Sequence, residues 1–189
     1  NNSEIKGICC VDTSPVSEKV WAQRAGIGWI GKHTNLITRE YGSWIFLGEL
    51  ILDCDLIYDQ PFTDDLCGSC TACLEACPTD AIISEYKLDA TKCISYQTIE
   101  NRDSIPLEFS NKMDNWIYGC DICQEVCPWN QKFSVFSNNN SFKPRNFLIK
   151  NDANYLYNLS DIEYSSLFKN STMKRSKLKG LKRNIDFIK

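Results

Sequence analysis

The sequence has one histidine and almost no net charge, with 21 Lys and Arg against 24 Asp and Glu in 189 residues. A net charge of -3 gives no general pull toward nucleic acid, so any grip on phosphates has to be local. No apolar run approaches the roughly 18 residues of a membrane span, which excludes a helical membrane anchor in this sequence. No export signal is visible, so the eleven cysteines fit a reducing cytoplasm with metal clusters and not a secreted framework. The chain opens on Asn1 instead of methionine and runs almost at once into an apolar strand, which points to a fragment lacking an N-terminal part. Hydrophobic residues make up 43% and charged residues 24%, the balance of a globular protein. There is no internal repeat apart from a duplicated cysteine motif.

That motif is the chain's strongest signal. It reads Cys67-Gly-Ser-Cys70-Thr-Ala-Cys73-Leu-Glu-Ala-Cys77-Pro78, then a lone Cys93, then Cys120-Asp-Ile-Cys123-Gln-Glu-Val-Cys127-Pro128. The first half is the C-x2-C-x2-C-x3-C-P run of bacterial iron–sulfur proteins, in which the fourth cysteine ligates the other cluster. The second half repeats the scheme with its first cysteine displaced by residues 94–119. Two [4Fe–4S] clusters follow, with crossed ligation. Cys67, Cys70 and Cys73 join Cys127 in cluster one, and Cys93, Cys120 and Cys123 join Cys77 in cluster two. Zinc knuckles would explain paired C-x2-C steps but not a third evenly spaced cysteine or the two Cys-Pro ends. A disulfide framework suits a short secreted chain. Eight unligated core cysteines is the remaining alternative.

The rest of the chain is read around this ladder. Ile5 to Val11 reads as a short buried strand, with Cys9 and Cys10 as small buried hydrophobes. Ser14 and Pro15 fit the start of a helix running from about Pro15 to Ala25 and stopping at Gly26. Asp12 then stands at a strand end beside a helix N-terminus, where side chains project into clefts; a turn or capping aspartate is the plainer reading. Gly26-Ile-Gly28-Trp-Ile-Gly31-Lys-His33 has a spacing close to a dinucleotide fingerprint, but it follows a helix and no βαβ unit surrounds it. Backbone lying close against something flat, in a loop rich in donors, is the better reading. His33 is either a hydrogen-bonded loop residue or a ligand. Leu36-Ile37 and Trp44 to Ile51 read as strands flanking a turn at Tyr41-Gly42-Ser43. The acidic stretch 53–65 reads as a solvated connector and domain boundary. Short helices are expected after Cys67 and Cys120, a longer one over Leu107 to Tyr118, and a capping box Ser160-Asp-Ile-Glu163 opens a helix to about Phe168. Lys174, Arg175, Lys177, Lys179, Lys182 and Arg183 form a basic run without an acid, either a solvated face or a phosphate-binding one.

Two cubanes make an electron wire, and cluster potentials extend down to about −700 mV. A wire alone is a carrier. The structured segment ahead of the ladder, with its poised carboxylate and glycine-lined loop, argues for a second cofactor and hence an enzyme. Val11-Asp12-Thr13-Ser14-Pro15, Gly26-Ile-Gly28-Trp29-Ile-Gly31-Lys32-His33, Tyr41-Gly42-Ser43, Cys93-Ile-Ser95, and Gly119-Cys-Asp-Ile-Cys-Gln-Glu-Val-Cys-Pro together resemble the epoxyqueuosine reductase family over nearly the whole chain. Lys182-Arg183-Asn184 resembles that family's Arg-Asn element.

The resemblance implies an α+β protein: part of a cobalamin-binding α/β domain over residues 1–60, a bacterial ferredoxin-like 2×[4Fe–4S] domain over 61–135, and a helical segment with a basic tail over 136–189. It implies a cobalamin- and iron–sulfur-dependent oxidoreductase of the cytoplasm that converts epoxyqueuosine to queuosine at the wobble position of tRNA. Asp12 is then the proton donor to the substrate oxygen. The corrin lies against His33, Leu36 and Leu47 and near Ser95, Cys120 and Asp121. Arg102 and the basic tail touch the tRNA anticodon loop. An external low-potential donor feeds the clusters, and a monomer is expected. Since the family's N-terminal region supplies part of the corrinoid pocket and does not precede Asn1 here, the chain is expected to hold its clusters yet bind cobalamin weakly or not at all. A ferredoxin-like electron carrier, or a corrinoid reductase of another substrate such as a halogenated compound, are the alternatives.

Overall fold

Nine glycines, six prolines and the paired Cys-Pro steps break this chain into short elements. In the computed structural model, which describes residues 5–189, these are β1 (Gly7–Cys10), α1 (Glu18–Arg24), β2 (Trp29–Ile30), β3 (Leu36–Ile37), β4 (Glu49–Leu52), α2 (Ala72–Glu75), β5 (Ile82–Ser84), β6 (Lys87–Leu88), α3 (Ile94–Ile99), α4 (Ile122–Glu125), α5 (Pro128–Phe133), α6 (Asn146–Lys150), α7 (Ala153–Tyr157), α8 (Asp161–Leu167) and α9 (Lys177–Ile188). The fold is thus mixed α and β, as expected. Among the described residues, no helix is long and apolar enough to cross a membrane. The chain divides into two compact units, one reaching to Leu74 and including Ser84–Lys87 and Cys123–Val135, the other comprising Glu75–Ile83, Leu88–Ile122 and Phe136–Lys189.

In the first unit, β1 pairs antiparallel with β4, setting Gly7 opposite Leu52 and Cys10 opposite Glu49. The expected buried strand is exposed. A lone ribbon gives each strand a single neighbour, and here Ile8 and Leu50 are 66% and 68% accessible while only Cys10 is buried. Cys9 is likewise exposed, against its reading as a core residue. Helix α1 begins later than expected, with Ser17 and not Ser14 at its N-cap position, and the chain leaves it through Gly26 at φ +76°. The flat object beneath the glycine loop is β3. Trp29 pairs with Ile37 in the β2–β3 ladder, and a Cβ on Gly28 would lie 2.1 Å from the Ile37 carbonyl oxygen. Residues 44–48 carry no regular strand, so only the Glu49–Leu52 end of the expected strand forms.

The second unit is mainly helical. Leu156, Leu159, Tyr164, Phe168, Leu178, Leu181 and Ile185 form one buried cluster, and Ile94, Ile105, Phe109 and Met113 form another. The capping box forms as expected: Ser160 Oγ accepts the Glu163 N–H at 3.3 Å, and the Glu163 carboxylate accepts the Ser160 N–H at 2.9 Å. The helix expected over Leu107 to Tyr118 does not form. Only a single 3₁₀ turn, Leu107–Phe109, is present, because Asn111 and Asp114 adopt φ values of 63° and 45°, where a right-handed helix cannot continue. The basic run becomes a 3₁₀ turn (Thr172–Ser176) followed by α9, whose Leu178, Leu181 and Ile185 recur at helical spacing on the buried side.

Candidate functional site

Cys67, Cys70, Cys73 and Cys127 line one cavity of about 160 Å³ in the first unit, with Ile37, Leu66, Ala72 and Trp129 supplying apolar wall. Local chemistry places each thiol. The Asp65 carboxylate accepts the Cys67 N–H at 2.9 Å, and the Cys70 N–H returns to the Cys67 carbonyl at 3.1 Å, closing the loop between the first two cysteines. Cys73 sits on α2 and is buried. Cys127 is the N-cap residue of α5, whose first position, Pro128, has no N–H to leave unpaired. Cys127 is 6% exposed and packs with Trp29 and Ile37. Four soft sulfur donors from both ends of the ladder therefore line one largely apolar space, the donor set of a cubane. Among the described residues, no three of His, Cys, Asp or Glu converge as the ligands of a lone ion would. None of the eleven cysteines is in a disulfide.

Burial first, and then the neighbouring Cys67, Cys127 and Cys70 sulfurs, push the Cys73 thiol up to about 11. Burial also pushes Cys127 up. These thiols stay protonated without metal, and a cationic iron core reverses that preference by stabilising the thiolate.

Two polar frames hold this cavity, and neither was legible from spacing. Lys32 is 3% exposed, and its ammonium donates to the Gly68 carbonyl at 2.6 Å and to the Glu85 carboxylate at 2.8 Å. The hydrogen bond from Lys32 to Glu85 holds the ammonium above its ordinary range, leaving a fixed positive charge beside Cys67. Tyr86 donates its hydroxyl to Asp65, and that bond holds the Asp65 carboxyl below the usual range. On the other side, Asn130 is 2% exposed and ties α5 to the Gly42-Ser43 turn. Its Oδ1 accepts the Ser43 N–H at 2.6 Å, and its Nδ2 donates to Ser43 Oγ and the Gln124 carbonyl, both at 2.8 Å.

His33 lines the same cavity and is 4% exposed. Its Nδ1 accepts the Asn35 N–H at 3.2 Å, while Nε2 is buried without a hydrogen-bond partner among the described residues. Burial, assisted by the Lys19 charge, lowers its pKa to about 4, so the ring is neutral at physiological pH.

In the second unit, Cys77 accepts the Ala81 N–H at its sulfur (3.3 Å) and lies 3.7 Å from Thr79 Oγ1. Cys93 is the N-cap residue of α3, held by a turn in which Asp89 accepts the Thr91 N–H and hydroxyl at 3.0 and 2.6 Å. Cys120 is half-buried against the Ile94 cluster. Burial, with the Cys93, Asp121 and Cys77 charges, pushes its thiol up to about 11, so these three cysteines share one electrostatic neighbourhood. Cys123 follows at the C-x2-C spacing, in the segment of the first unit that also holds Cys127.

The remaining predicted residues sit as follows. Asp12 is exposed beyond β1 at φ 47°, and its N–H is held by the Glu18 carboxylate at 2.7 Å. Leu36 is buried in β3 and Leu47 is half-buried. Ser95 on α3 and Asp121 beside Cys120 are half-buried. Arg102 is exposed and donates to the Ile99 carbonyl at 3.0 Å. Arg183, read as part of the basic run, is turned inward instead. It donates to the carbonyls of Gln97 (2.7 Å), Asn101 (2.7 Å) and Asp103 (2.6 Å), while Asn184 donates to those of Thr98 (2.8 Å) and Ile117 (2.9 Å). The Arg-Asn pair thus fixes the end of the helix that Cys93 begins. Lys179 and Lys182 line an open hollow of about 760 Å³ with Ser104 and Asp186.

Comparison with known proteins agrees with this geometry. Residues 66–130 match the family described as a 4Fe-4S double cluster binding domain. Epoxyqueuosine reductase of Cellulophaga algicola is 50% identical over 98% of the chain, and that of Leadbetterella byssophila is 52% identical over 98%. A crystal structure of epoxyqueuosine reductase with a tRNA-Tyr epoxyqueuosine-modified stem loop superimposes on 99% of the chain with TM-score 0.92 and 35% identity, using 49% of that protein's length. The chain spans about 60% of the length of the curated relatives it matches. Residues 66–130 are thus similar to a 4Fe-4S double cluster binding domain, and 98% of this chain is similar in sequence to part of the epoxyqueuosine reductases.

Proposed function

We propose that this chain is the cluster-bearing part of a tRNA-modifying reductase that converts epoxyqueuosine to queuosine. In this reading residues 1–60 belong to a corrin-binding domain, 61–135 form the ferredoxin-like domain and 136–189 a helical segment. Electrons enter from an external low-potential donor, and the enzyme acts as a cytoplasmic monomer on the tRNA anticodon loop. Cys67, Cys70, Cys73 and Cys127 hold cluster one; Cys93, Cys120, Cys123 and Cys77 hold cluster two. The observation that carries the electron-transfer half is Cys127 facing the cavity of the first motif. The substrate half rests on the likeness to epoxyqueuosine reductases.

For the second cofactor, His33, Leu36 and Leu47, with Ser95, Cys120 and Asp121, are the residues assigned to a corrin face. Leu36 and Leu47 suit it by being apolar, and Ser95 and Asp121 by being only half-buried. Cobalamin, when bound, supplies a low-potential cobalt centre for the reduction. This chain's own part is proton delivery. Opening the epoxide and losing its oxygen as water takes two electrons and two protons, and a carboxylic acid at the substrate oxygen supplies a proton. Asp12 is assigned that role because it is exposed at a strand end on a backbone that Glu18 fixes. Arg102, Lys179 and Lys182 are assigned to tRNA phosphates.

The test is queuosine formation in undermodified tRNA by the cobalamin-loaded full-length enzyme, with Asp12→Asn alongside. Loss of turnover with both clusters intact supports the assignment. An unchanged rate removes Asp12 from the mechanism. If the wild type reduces soluble electron acceptors and leaves epoxyqueuosine untouched, it is an electron carrier.

A further inference from the structure

His33 presents a donor that the protein itself leaves unanswered. Its Nδ1 accepts the Asn35 N–H at 3.2 Å. In a neutral imidazole the proton must then reside on Nε2. That Nε2 is buried and has no acceptor among the described residues, although buried polar groups are paired in nearly all folded proteins. The ring is 4% exposed and lines the cavity walled by Cys67, Cys70, Cys73 and Cys127. Gly31 leaves room beside it: a Cβ there would come 2.5 Å from Ile37 Cδ1 and 3.3 Å from His33 Cε1, so a larger residue would displace Ile37 and crowd the ring. Trp29 Nε1 is also buried without a partner among the described residues, but Trp29 belongs to the buried cluster with Ile37 and Cys127 and is not among the residues lining the cavity.

We infer that His33 Nε2–H donates a hydrogen bond to a sulfur atom of the cluster held by Cys67, Cys70, Cys73 and Cys127, and so sets that cluster's reduction potential. Reduction adds one electron from the donor to the cluster and moves no proton. The added negative charge spreads onto the sulfurs, and a fixed N–H aimed at one of them stabilises the reduced form more than the oxidised one. The potential therefore rises, in the way hydrogen bonds to cluster sulfurs act generally. His33 is a positioning and tuning residue in this role, not a ligand. The inference rests on the cluster half of the proposed function and is independent of the substrate.

Two measurements on the anaerobically reconstituted protein test it. The first is a dithionite titration followed by electron paramagnetic resonance, with iron and sulfide assayed in each sample. His33→Phe keeps a ring and loses the donor. It is expected to lower the equilibrium constant for reducing one cluster about tenfold, which for one electron is about 59 mV, while the other cluster is unmoved. His33→Gln, which keeps an N–H, should recover most of that shift. Full iron with an unchanged potential in His33→Phe overturns the inference and leaves the clusters standing, whereas a wild type without iron overturns the cluster reading itself. The second covers a His33→Phe variant that takes up no iron. Because the chain has one histidine, ¹⁵N-histidine labelling and electron–nuclear double resonance on the reduced wild type report on this ring alone. A ¹⁵N coupling to one cluster is expected, and its absence refutes the bond.

Discussion

Asn130→Ala is the sharpest test of how the first cavity is held. The side chain is 2% exposed and makes three hydrogen bonds, to the Ser43 N–H at 2.6 Å and to Ser43 Oγ and the Gln124 carbonyl at 2.8 Å. Alanine leaves the Ser43 N–H buried without its partner, whereas the Gln124 carbonyl keeps the Cys127 N–H at 3.2 Å. Ser43 Oγ keeps its bond to the Gln124 side chain at 2.9 Å. A stranded backbone group costs about 1–3 kcal/mol, so the loss is about 2 kcal/mol. For a chain of this length that is roughly 4–8 °C in Tm. Urea and thermal unfolding of the reduced, cluster-free protein measures it. Gly42→Ala attacks the same joint from the other side: φ is +64°, and the new Cβ would sit 2.1 Å from Asn130 Oδ1. The two changes share a partner, so the double variant should lose less than the sum of the singles. A loss below about 1 kcal/mol in Asn130→Ala, or strict additivity with Gly42→Ala, would refute the claim that this joint braces α5 and Cys127.

In the second unit, Asn184→Ala strands the Thr98 and Ile117 carbonyls and should cost about 2–4 kcal/mol, seen as a lower urea midpoint and as loss of the cluster that Cys93 serves. Cys73 and Cys120, both near 11, hold only about one thiolate in a thousand at pH 8. Iodoacetamide mapping of the cluster-free protein should therefore find them slow, speeding up about tenfold per pH unit until about pH 11. The same protons must leave when iron binds, so cluster retention should weaken as pH falls; retention that improves on acidification would contradict this.

The sulfur donors could be picked out because cysteine spacing is a local signal, and the Cys-Pro step led to the expectation that Cys127 joins the first motif, whose cavity it lines. The capping box at Ser160 was legible for the same reason: its chemistry is local. What escaped depends on distant partners. Lys32 and Glu85 are 53 residues apart, and Ser43 and Asn130 are 87 apart, so no window of sequence links them. The basic run misled because charge alone does not reveal which side of α9 faces inward, and Arg183 is spent on backbone carbonyls while Lys179 and Lys182 remain at the surface hollow. The helix expected over Leu107 to Tyr118 failed for a reason that was visible in principle, since Asn111 and Asp114 are residue types that tolerate positive φ.

Iron in a paired variant decides the ligation most directly. The wild type should bind about eight iron and eight sulfide per chain. In Cys67→Ala/Cys127→Ala both losses fall on cluster one, so about four iron should remain in a single intact [4Fe–4S] cluster. Iron falling to nearly zero in that variant would mean that Cys127 serves the other cluster, and would contradict the crossed arrangement.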